Sequence, residues 1–279
     1  MPPQTVAVIG LGLIGGSVAR ALSARGVRVI GFDRNRASLD AAISEHVIEA
    51  GLDEELDGIA SADIIVLALP GDAARDIIPR LAQLSTHATL VTDVGSAKQL
   101  VVEAAEAAGM GLRFVGSHPL AGDHRSGWHS SRADMFQGER VFLCPASTTR
   151  RETIQAAEDF WISLGAVPAT MDALSHDTRM AWLSHLPHVL STALALTLRD
   201  AGVTRSELGP GGRDLTRLAG SSPEMWSAIA QENGPAIARA ISSFEAHIEE
   251  LKATVVAGDA ASFKACFAAG REWFSEGSG

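Results

Sequence analysis

The sequence predicts an α/β protein, with a doubly wound parallel sheet in its N-terminal half and only α-helices in its C-terminal half. Three observations predict this fold class. Short apolar runs alternate with helical patterns through the first half. One run, residues 63–69, is apolar on both faces, as a central strand covered by helices on each side is. No strand pattern follows Leu174, so the sheet is expected to end before that residue.

The elements follow in order from these patterns. Apolar runs predict strands over residues 6–9, 27–32, 63–69, 89–94, 113–116, 141–144 and 166–168. Helical periodicity predicts helices over 14–25, 39–50, 73–84, 97–108, 180–199, 222–232, 234–257 and 262–273. The breaker cluster Gly209–Gly212 punctuates the helical half. We therefore expect a sheet domain over residues 1–170, a helical domain over 171–279 and a disordered tail from Ser275 to Gly279.

Composition and charge narrow the class of protein. Hydrophobic residues make up 46% and charged residues 20% of the 279 residues, which is the range of a folded globular chain. The net charge of −10 argues against nucleic-acid and anionic-membrane partners, and no apolar run is long enough to span a membrane. Two cysteines, Cys144 and Cys266, are expected to be buried in a reducing compartment. Because no signal-peptide pattern is present, a cytoplasmic location is expected.

A glycine motif lies between the first predicted strand and the first predicted helix. Residues 10–15 fit the pattern G-x-G-x-x-G. In this context Gly10 permits a tight turn, Gly12 lets the backbone approach a pyrophosphate, and Gly15 lets helix and strand pack closely. The helix N-terminus then binds the anion. The motif indicates a Rossmann dinucleotide-binding domain; a structural turn without a ligand is the alternative.

Asp33 lies at the end of the second predicted strand, eighteen residues after Gly15. An acidic residue here accepts hydrogen bonds from the adenosine ribose and repels a 2′-phosphate, which favours NAD over NADP. Arg34 could pair with such a phosphate, so NADP stays open, and Asp33 could instead cap the strand end. The candidate cofactor-binding residues are Gly10, Leu11, Gly12, Leu13, Ile14, Gly15, Asp33, Arg34, Leu69, Pro70, Val94 and Gly95.

Two further strand ends carry polar residues. Ser96 follows the strand over 89–94, and His118 follows the strand over 113–116. Ligands of open α/β sheets bind at the carboxyl ends of the strands, so both side chains are expected near a nicotinamide. An imidazole suits proton abstraction from a hydroxyl during hydride transfer. The alternatives are a loop role for His118 and a helix N-cap role for Ser96.

The helical half carries a histidine cluster. His185 and His188 are three residues apart and therefore share one helical face, shortly after the pair His176–Asp177. Pro187 removes one helical hydrogen bond between them, so a kinked wall of a site is expected. A zinc site and satisfied core histidines are the alternatives, and we expect no metal.

Arg213, Asp214 and Arg217 follow the glycine cluster at helical spacing. A guanidinium beside a dry pocket binds a carboxylate with two hydrogen bonds, which is the role expected of Arg217. A surface pair between Asp214 and Arg217 is the alternative. Trp226 closes the pocket or belongs to the core.

Together these motifs resemble the prephenate/arogenate dehydrogenase family of tyrosine biosynthesis. The resemblance runs from Val6 to about Leu251, and four of its five motifs are specific to the family in this order. The motifs that carry it are Gly10–Ser17, Asp93–Lys98, Gly116–Gly122, Ser184–His188 and Arg213–Ala219.

The resemblance implies an NAD(P)-dependent oxidative decarboxylation of a small anionic cyclohexadienyl substrate. It implies that His118 is the catalytic histidine, that Ser96 is its polar partner, and that Arg217 holds a substrate carboxylate. His185, with Ser184 and His188, would form the rest of the substrate wall. The resemblance also implies a homodimer formed through the helical domain.

Several alternatives stay open. The pocket residues favour the keto acid prephenate over arogenate, although Glu139 or Asp123 could bind an ammonium group, and a 4-amino-4-deoxy analogue is also allowed. A 3-hydroxyacid dehydrogenase shares this domain plan, but Lys252 and Lys264 lie too late in the chain to be its lysine base. A non-enzymatic NAD-binding sensor would keep the glycines without needing His118 or Arg217.

Overall fold

The N-terminal domain is built on one eight-stranded sheet in the computed structural model, which describes residues 5–85, 87–122 and 125–276. The spatial strand order is β3-β2-β1-β4-β5-β6-β7-β8, so the chain crosses over between β3 and β4, as a doubly wound fold requires. The strands are β1 Thr5–Ile9, β2 Arg28–Phe32, β3 Ala50–Gly51, β4 Ile64–Leu67, β5 Leu90–Asp93, β6 Phe114–Pro119, β7 Arg140–Pro145 and β8 Val167–Thr170.

Helices cover both faces of this sheet, and the side chains of β1 alternate between two cores. Val6 and Val8 pack into one cluster with Val18, whereas Ala7 and Ile9 pack into the other. Central strands buried on both faces explain the continuous apolar runs of the sequence. The helices of this domain are α1 Leu13–Ser23, α2 Arg36–Ser44, α3 Gly71–Leu84, α4 Gln99–Ala107 and α5 Arg151–Ser163.

The far edge of the sheet departs from the predicted parallel arrangement. β7 runs antiparallel to β6, with His118 opposite Phe142, and β8 is parallel to β7. The described part of the β6–β7 connection contains a 3-10 turn, Trp128–Ser130, and no α-helix, so it does not form the crossover that a parallel pair needs. α5 was absent from the predicted elements, although Ala157, Phe160 and Trp161 follow helical spacing and are buried.

The helical domain differs from the predicted elements at four places. The helix predicted over 180–199 begins with a π-helical turn, Ala181–His185, and is preceded by a helix over Ala173–Met180 that was not predicted. The helices predicted over 222–232 and 234–257 are one helix with a break at Asn233. Gly209–Gly212 contains a helix start at Pro210, and Ser275 belongs to the last helix. Of the tail, Gly277–Gly279 lie outside the described residues. The elements are α6 Ala173–Met180, the π turn Ala181–His185, α7 Leu186–Asp200, α8 Pro210–Leu215, a 3-10 turn Arg217–Gly220, α9 Pro223–Ala257 and α10 Ala260–Glu276.

The two cysteines differ in exposure. Cys144 is buried in β7, and burial raises the pKa of its thiol to about 12. Cys266 is half-buried on α10, which corrects the expectation that both are buried. Within the described ranges, the helices are too short or too polar to cross a membrane.

Candidate active site

The glycine loop has the shape that a pyrophosphate requires. Gly10 adopts φ +95°, and a Cβ at Gly15 would overlap the carbonyl of Gly10. In front of Gly12 there is open space, and Gly12 begins α1 without a side-chain cap. Leu13 and Ile14 form the first turn of that helix. The free helix N-terminus and the open space fit the diphosphate of a dinucleotide.

Asp33 joins the end of β2 to the glycine loop. Its Oδ2 accepts a hydrogen bond from the Leu11 amide at 2.6 Å, and its Oδ1 accepts one from the Asn35 amide at 2.7 Å. The carboxylate therefore shapes the loop and still has lone pairs for ribose hydroxyls. Arg34, next to it, is exposed.

The other candidate cofactor residues follow the two neighbouring strands. Leu69 lies after β4 against Gly10, and Pro70 precedes α3 as its N-cap. Val94 and Gly95 follow β5, where the Gly95 amide donates to Asp93 Oδ2 at 2.8 Å. Because β1, β4 and β5 are adjacent, these residues share one edge of the sheet with the glycine loop.

A chain of three side chains crosses from the sheet domain to the helical domain. His118 Nδ1 on β6 lies 2.9 Å from His176 Nε2 on α6. His176 Nδ1 lies 2.7 Å from Asp177 Oδ1. His176 and Asp177 are buried, whereas His118 is half-buried and so stays open to a substrate.

These two hydrogen bonds fix the positions of the protons on both imidazoles. The Asp177 carboxylate only accepts, so His176 must donate from Nδ1 and present the lone pair of Nε2. His118 then donates from Nδ1 to that lone pair, and its Nε2 is left unprotonated. An unprotonated imidazole nitrogen is what a general base needs.

The surroundings keep His118 neutral. Burial lowers the pKa of His118 well below its usual 6.5, and the positive charge of Lys98 lowers it further. The imidazole is therefore in its basic form at neutral pH.

Asp177 also ties α6 to the N-terminus of α4. The Lys98 amide donates to Oδ1 at 2.8 Å and the Gln99 amide to Oδ2 at 2.9 Å. α4 begins at Gln99, so the expected alternative of Ser96 as its N-cap is wrong, because a carboxylate from the helical domain takes that place. Ser96 is half-buried beside the loop after β5.

A buried ion pair lies beneath His118. The Lys98 side chain is fully buried, pairs with Asp93 and donates to the Ser117 carbonyl at 2.9 Å. Asp93 Oδ1 accepts from the Ser117 amide at 3.2 Å. The pair therefore holds the backbone immediately before His118.

His185 and His188 both contact Trp226, as a shared helical face requires. The His188 and Trp226 ring centroids are 4.4 Å apart, and those of His185 and Trp226 are 5.7 Å apart. Asn233 donates to His185 Nδ1 at 3.2 Å and to the Asp177 carbonyl at 2.7 Å. His185 is buried, which lowers its pKa to about 4, so the core-histidine alternative describes its surroundings.

The π turn explains how the chain accommodates Pro187. The Leu186 amide reaches back to the Ala181 carbonyl, five residues earlier, so the turn widens just where Pro187 lacks an amide hydrogen. The predicted kink is therefore a local widening of the helix. Ser184 is half-buried within this turn.

Trp226 Nε1 is buried and has no hydrogen-bond partner among the described residues. Such a donor normally has a partner, and a bound molecule is one way to supply it.

Arg217 lies at the outer end of this cluster. Its side chain is exposed. Burial lowers the pKa of His188, and the charge of Arg217 lowers it further. It lines a cavity of about 440 Å³ with Leu198, Val203 and Leu208, to which His118 does not contribute. Among the described residues, no hydrogen bond or ion pair joins His118 to Arg217. Hydrogen bonds lead from His118 through His176, Asp177 and Asn233 only as far as His185. Over the described residues, no ion pair joins Asp214 to Arg217.

The sequence reasoning missed four residues as members of the site: Lys98, His176, Asp177 and Asn233. In the sequence, His176 and Asp177 stand out only by their position before the predicted helix. An adjacent His–Asp pair is a usable signal, but its partner His118 is 58 residues away in the chain. Glu139 is exposed just before β7, and Asp123 lies outside the described residues.

Comparison with known proteins assigns the family. Residues 18–169 match the family described as prephenate dehydrogenase, nucleotide-binding domain, and residues 172–269 match prephenate dehydrogenase, dimerization domain. The chain belongs to the prephenate dehydrogenase family. The resemblance and the fold class predicted from the sequence are thereby confirmed, and the chain is an oxidoreductase.

Individual relatives agree with this membership. The chain is 31% identical to a prephenate dehydrogenase of Bacillus subtilis, over 92% of this chain and 71% of the relative. It is 31% identical to a cyclohexadienyl dehydrogenase of Zymomonas mobilis, over 91% and 89%. A crystal structure of an Aquifex aeolicus prephenate dehydrogenase, in complex with hydroxyphenyl propionate and NAD+, superposes with a TM-score of 0.91 at 30% identity and covers 99% of both chains.

Proposed function

We propose that the protein oxidises and decarboxylates prephenate to 4-hydroxyphenylpyruvate with NAD as the hydride acceptor. The observation that carries the proposal is the chain Asp177–His176–His118, which presents an unprotonated imidazole nitrogen beside a dinucleotide-binding edge. The family membership and the names of the relatives support the same reaction.

The proposed roles follow from this geometry. NAD, when bound, accepts the hydride from ring C4. His118 Nε2 takes the proton of the C4 hydroxyl, so that this carbon becomes a carbonyl. The bond to the ring carboxylate then breaks, its electrons pass through the ring to the carbonyl oxygen, and carbon dioxide leaves. That oxygen takes a proton back and becomes a phenol, and His118 is positioned to return it.

The residues around His118 are proposed to hold the substrate. Ser96 has no hydrogen-bond partner among the described residues. It follows β5, the neighbour of the strand that carries His118, so we assign it to the C4 hydroxyl. Trp226 Nε1 is assigned to a polar atom of the substrate side chain, next to the rings of His185 and His188. Ser184, in the same π turn as His185, is assigned to the substrate wall. Arg217 is assigned to a substrate carboxylate at the outer end, because its guanidinium is exposed and unpaired among the described residues.

The experiment is a direct assay with one substitution. Purified protein with NAD and prephenate should produce NADH, carbon dioxide and 4-hydroxyphenylpyruvate. His118→Asn should lower kcat by roughly 10²–10⁴-fold while NAD binds as before. Normal turnover by His118→Asn would refute the role of this residue, and no turnover of prephenate or arogenate by the wild type would refute the function.

We propose that prephenate is preferred over arogenate. The histidine, tryptophan and arginine side chains of the cluster offer donors to a keto acid. The described part of the site offers no carboxylate next to Trp226 for an ammonium group. Initial rates with the two substrates side by side test this choice, and a higher kcat/KM for arogenate would contradict it.

We propose that NAD is preferred over NADP. Asp33 places a carboxylate at the end of β2, where it would repel a 2′-phosphate. Asp33→Ser should therefore raise kcat/KM for NADP relative to NAD by about tenfold or more. An unchanged ratio would remove Asp33 from the specificity.

We also propose that two copies of the protein pair through the helical domain. The boundary between the two domains is proposed to lie between residues 170 and 171. The proposed location of the protein is the cytoplasm. The helical domain exposes large apolar side chains, including Val256, Phe267 and Trp273. The last strand ends at Thr170 and α6 begins at Ala173, which supports the division.

A further inference from the structure

The carboxylate of Glu232 is buried where α9 of the helical domain meets the start of α3. Its side chain is 9% exposed, and a Cβ at Gly71 would overlap it. Within the described ranges, no hydrogen bond reaches either of its oxygens. The carboxylate is therefore mostly covered, and its oxygens are free to accept hydrogen bonds from a bound molecule.

The charged residues described around Glu232 do not supply a hydrogen bond to it. Arg75 on α3 is 3.9 Å away, which is beyond hydrogen-bond distance. Lys98 lies farther off and also favours the ionised form, whereas Asp93 and Asp177 oppose it. The burial of Glu232 raises the pKa of its carboxyl.

The break in α9 accounts for the inward position of Glu232. Asn233 leaves the helical conformation, with φ −124° and ψ 23°, and donates its side chain to the Asp177 carbonyl and to His185. Two consecutive residues of a regular helix point about 100° apart. The break lets both Glu232 and Asn233 face the sheet domain.

The sheet order shows which part of a dinucleotide would lie beside Glu232. Asp33 after β2 marks the adenosine ribose, and the glycine loop after β1 marks the pyrophosphate. The rest of the molecule must then extend over β4 and β5 towards His118 on β6. α3 begins just after β4, so Glu232 stands between the pyrophosphate and the reacting ring, at the place of the second ribose.

We infer that Glu232 is a cofactor-binding residue supplied by the helical domain, whose carboxylate accepts hydrogen bonds from the hydroxyls of the nicotinamide-side ribose. The inference rests on the proposed function, because it requires NAD in the cleft. Two adjacent ribose hydroxyls are donors that suit the two oxygens of one carboxylate.

If Glu232 only held α3 and Arg75 in place, its neutralisation would change the affinity for NAD in the opposite direction. A carboxylate that makes no bond to the cofactor only repels the pyrophosphate. Neutralising it would then leave NAD binding unchanged or strengthen it. A carboxylate that accepts ribose hydroxyls would, once neutralised, weaken binding.

The test uses Glu232→Gln, with Glu245→Gln as the matched control, because Glu245 is exposed on the same helix. Calorimetry without substrate gives the Kd for NAD, ADP-ribose and ADP. We expect Glu232→Gln to weaken NAD and ADP-ribose about tenfold, because a charge-assisted bond is lost, and to leave ADP within about twofold. Glu245→Gln should resemble the wild type for all three.

Three outcomes would overturn the inference. Unchanged or tighter NAD binding would show that Glu232 makes no bond to the cofactor. Equal weakening of all three ligands would indicate a general structural effect. Weakening of NAD alone would place the contact on the nicotinamide rather than on the ribose.

A second variant covers the case in which Glu232→Gln does not fold. Glu232→Asp keeps the charge but withdraws it by one methylene group, and it should weaken NAD and ADP-ribose while sparing ADP. These binding measurements need no turnover. A wild type that binds NAD through Glu232 but does not oxidise prephenate would refute the proposed function alone, and an active wild type with unchanged binding in Glu232→Gln would refute this inference alone.

Discussion

At the scale of single residues, the site depends on which atoms carry protons. The sequence places His118 just after a strand over 113–116, and the structure places it inside that strand, one residue before its end. The sequence was not sufficient to show that His176 fixes the proton on His118, because that contact joins two domains. A pattern within one element predicts the face on which a residue lies, but it does not predict which side chain of another domain meets it.

The pH dependence of turnover should follow His118. The pKa of its imidazole is lowered well below 6.5, so the basic form persists as the pH falls from neutrality. We expect kcat/KM to stay on a plateau through pH 6.5 and to decline only as the pH drops through the lowered pKa. An initial-rate profile checks this, and a decline centred at or above pH 6.5 would contradict it.

Asp177 should affect both the rate and the stability. Asp177→Asn keeps the shape but loses the charge that holds the His176 proton and the two α4 amides. We expect kcat to fall at least about tenfold and the free energy of unfolding to fall by about 1–3 kcal/mol. Asp172→Asn is the control, since Asp172 is an exposed N-cap of α6 and should change stability slightly and kcat not at all. Steady-state kinetics with urea unfolding separate the two effects, and an unchanged kcat in Asp177→Asn would contradict the proton assignment.

Arg217 should act on binding more than on chemistry. Arg217→Gln removes the proposed carboxylate partner, so KM for prephenate should rise about tenfold while kcat changes by less than about twofold. Arg213→Gln, an exposed neighbour, should leave both constants unchanged. If the two variants behave alike, the substrate carboxylate is held elsewhere.

At the scale of elements, the strands were easier to predict than the helix boundaries. Apolar runs located every strand except β3, a two-residue strand too short to leave a pattern. The glycine and proline residues that suggested breaks in the helical half had different effects. Pro210 begins α8, Pro187 is accommodated by a π turn, and α9 continues through Pro235. Tertiary contacts, such as those of Asn233, decide whether a helix stops or only bends.

The break in α9 should be held by the Asn233 side chain. Asn233→Ala removes its hydrogen bonds to the Asp177 carbonyl and to His185, so unfolding should cost about 1–3 kcal/mol less. Gln231→Ala, an exposed neighbour on the same helix, should change stability by less than about 0.5 kcal/mol. Thermal and urea unfolding provide the comparison, and equal stabilities of the two variants would argue against this role.

At the scale of the whole molecule, stability should depend on the protonation of buried histidines. The pKa of His185 is about 4 in the folded state, below the value near 6.5 of an unfolded chain. Between these two pKa values the unfolded chain therefore binds more protons than the folded one. The contribution of neutral His185 to the free energy of unfolding, up to about 3 kcal/mol, is present above pH 6.5 and is lost as the pH falls to about 4. His185→Gln should flatten this dependence, whereas His247→Gln, an exposed control, should not. Urea unfolding from pH 7 to pH 4 measures it, and equal slopes for all three proteins would contradict the prediction.

The exposed apolar side chains of α10 should be covered by a second copy of the chain. Phe267 and Trp273 are 64% and 76% exposed. The double variant Phe267→Asp, Trp273→Asp should convert a dimer into a monomer of about 29 kDa. Ile162→Asp, which changes an exposed apolar residue of the sheet domain, should remain dimeric. Light scattering after gel filtration checks the masses, and a monomeric wild type would exclude the dimer.

The bond between His118 and His176 bridges the two halves of the molecule, and this ties the reactivity of the base to the position of the halves. If the cleft widens to let product out, the imidazole on the sheet side loses the acceptor that orders its hydrogens. The ring is then free to carry its proton on either nitrogen. Separation of the two domains would therefore weaken His118 as a base, and contact between them around the substrate would restore the proton to Nδ1.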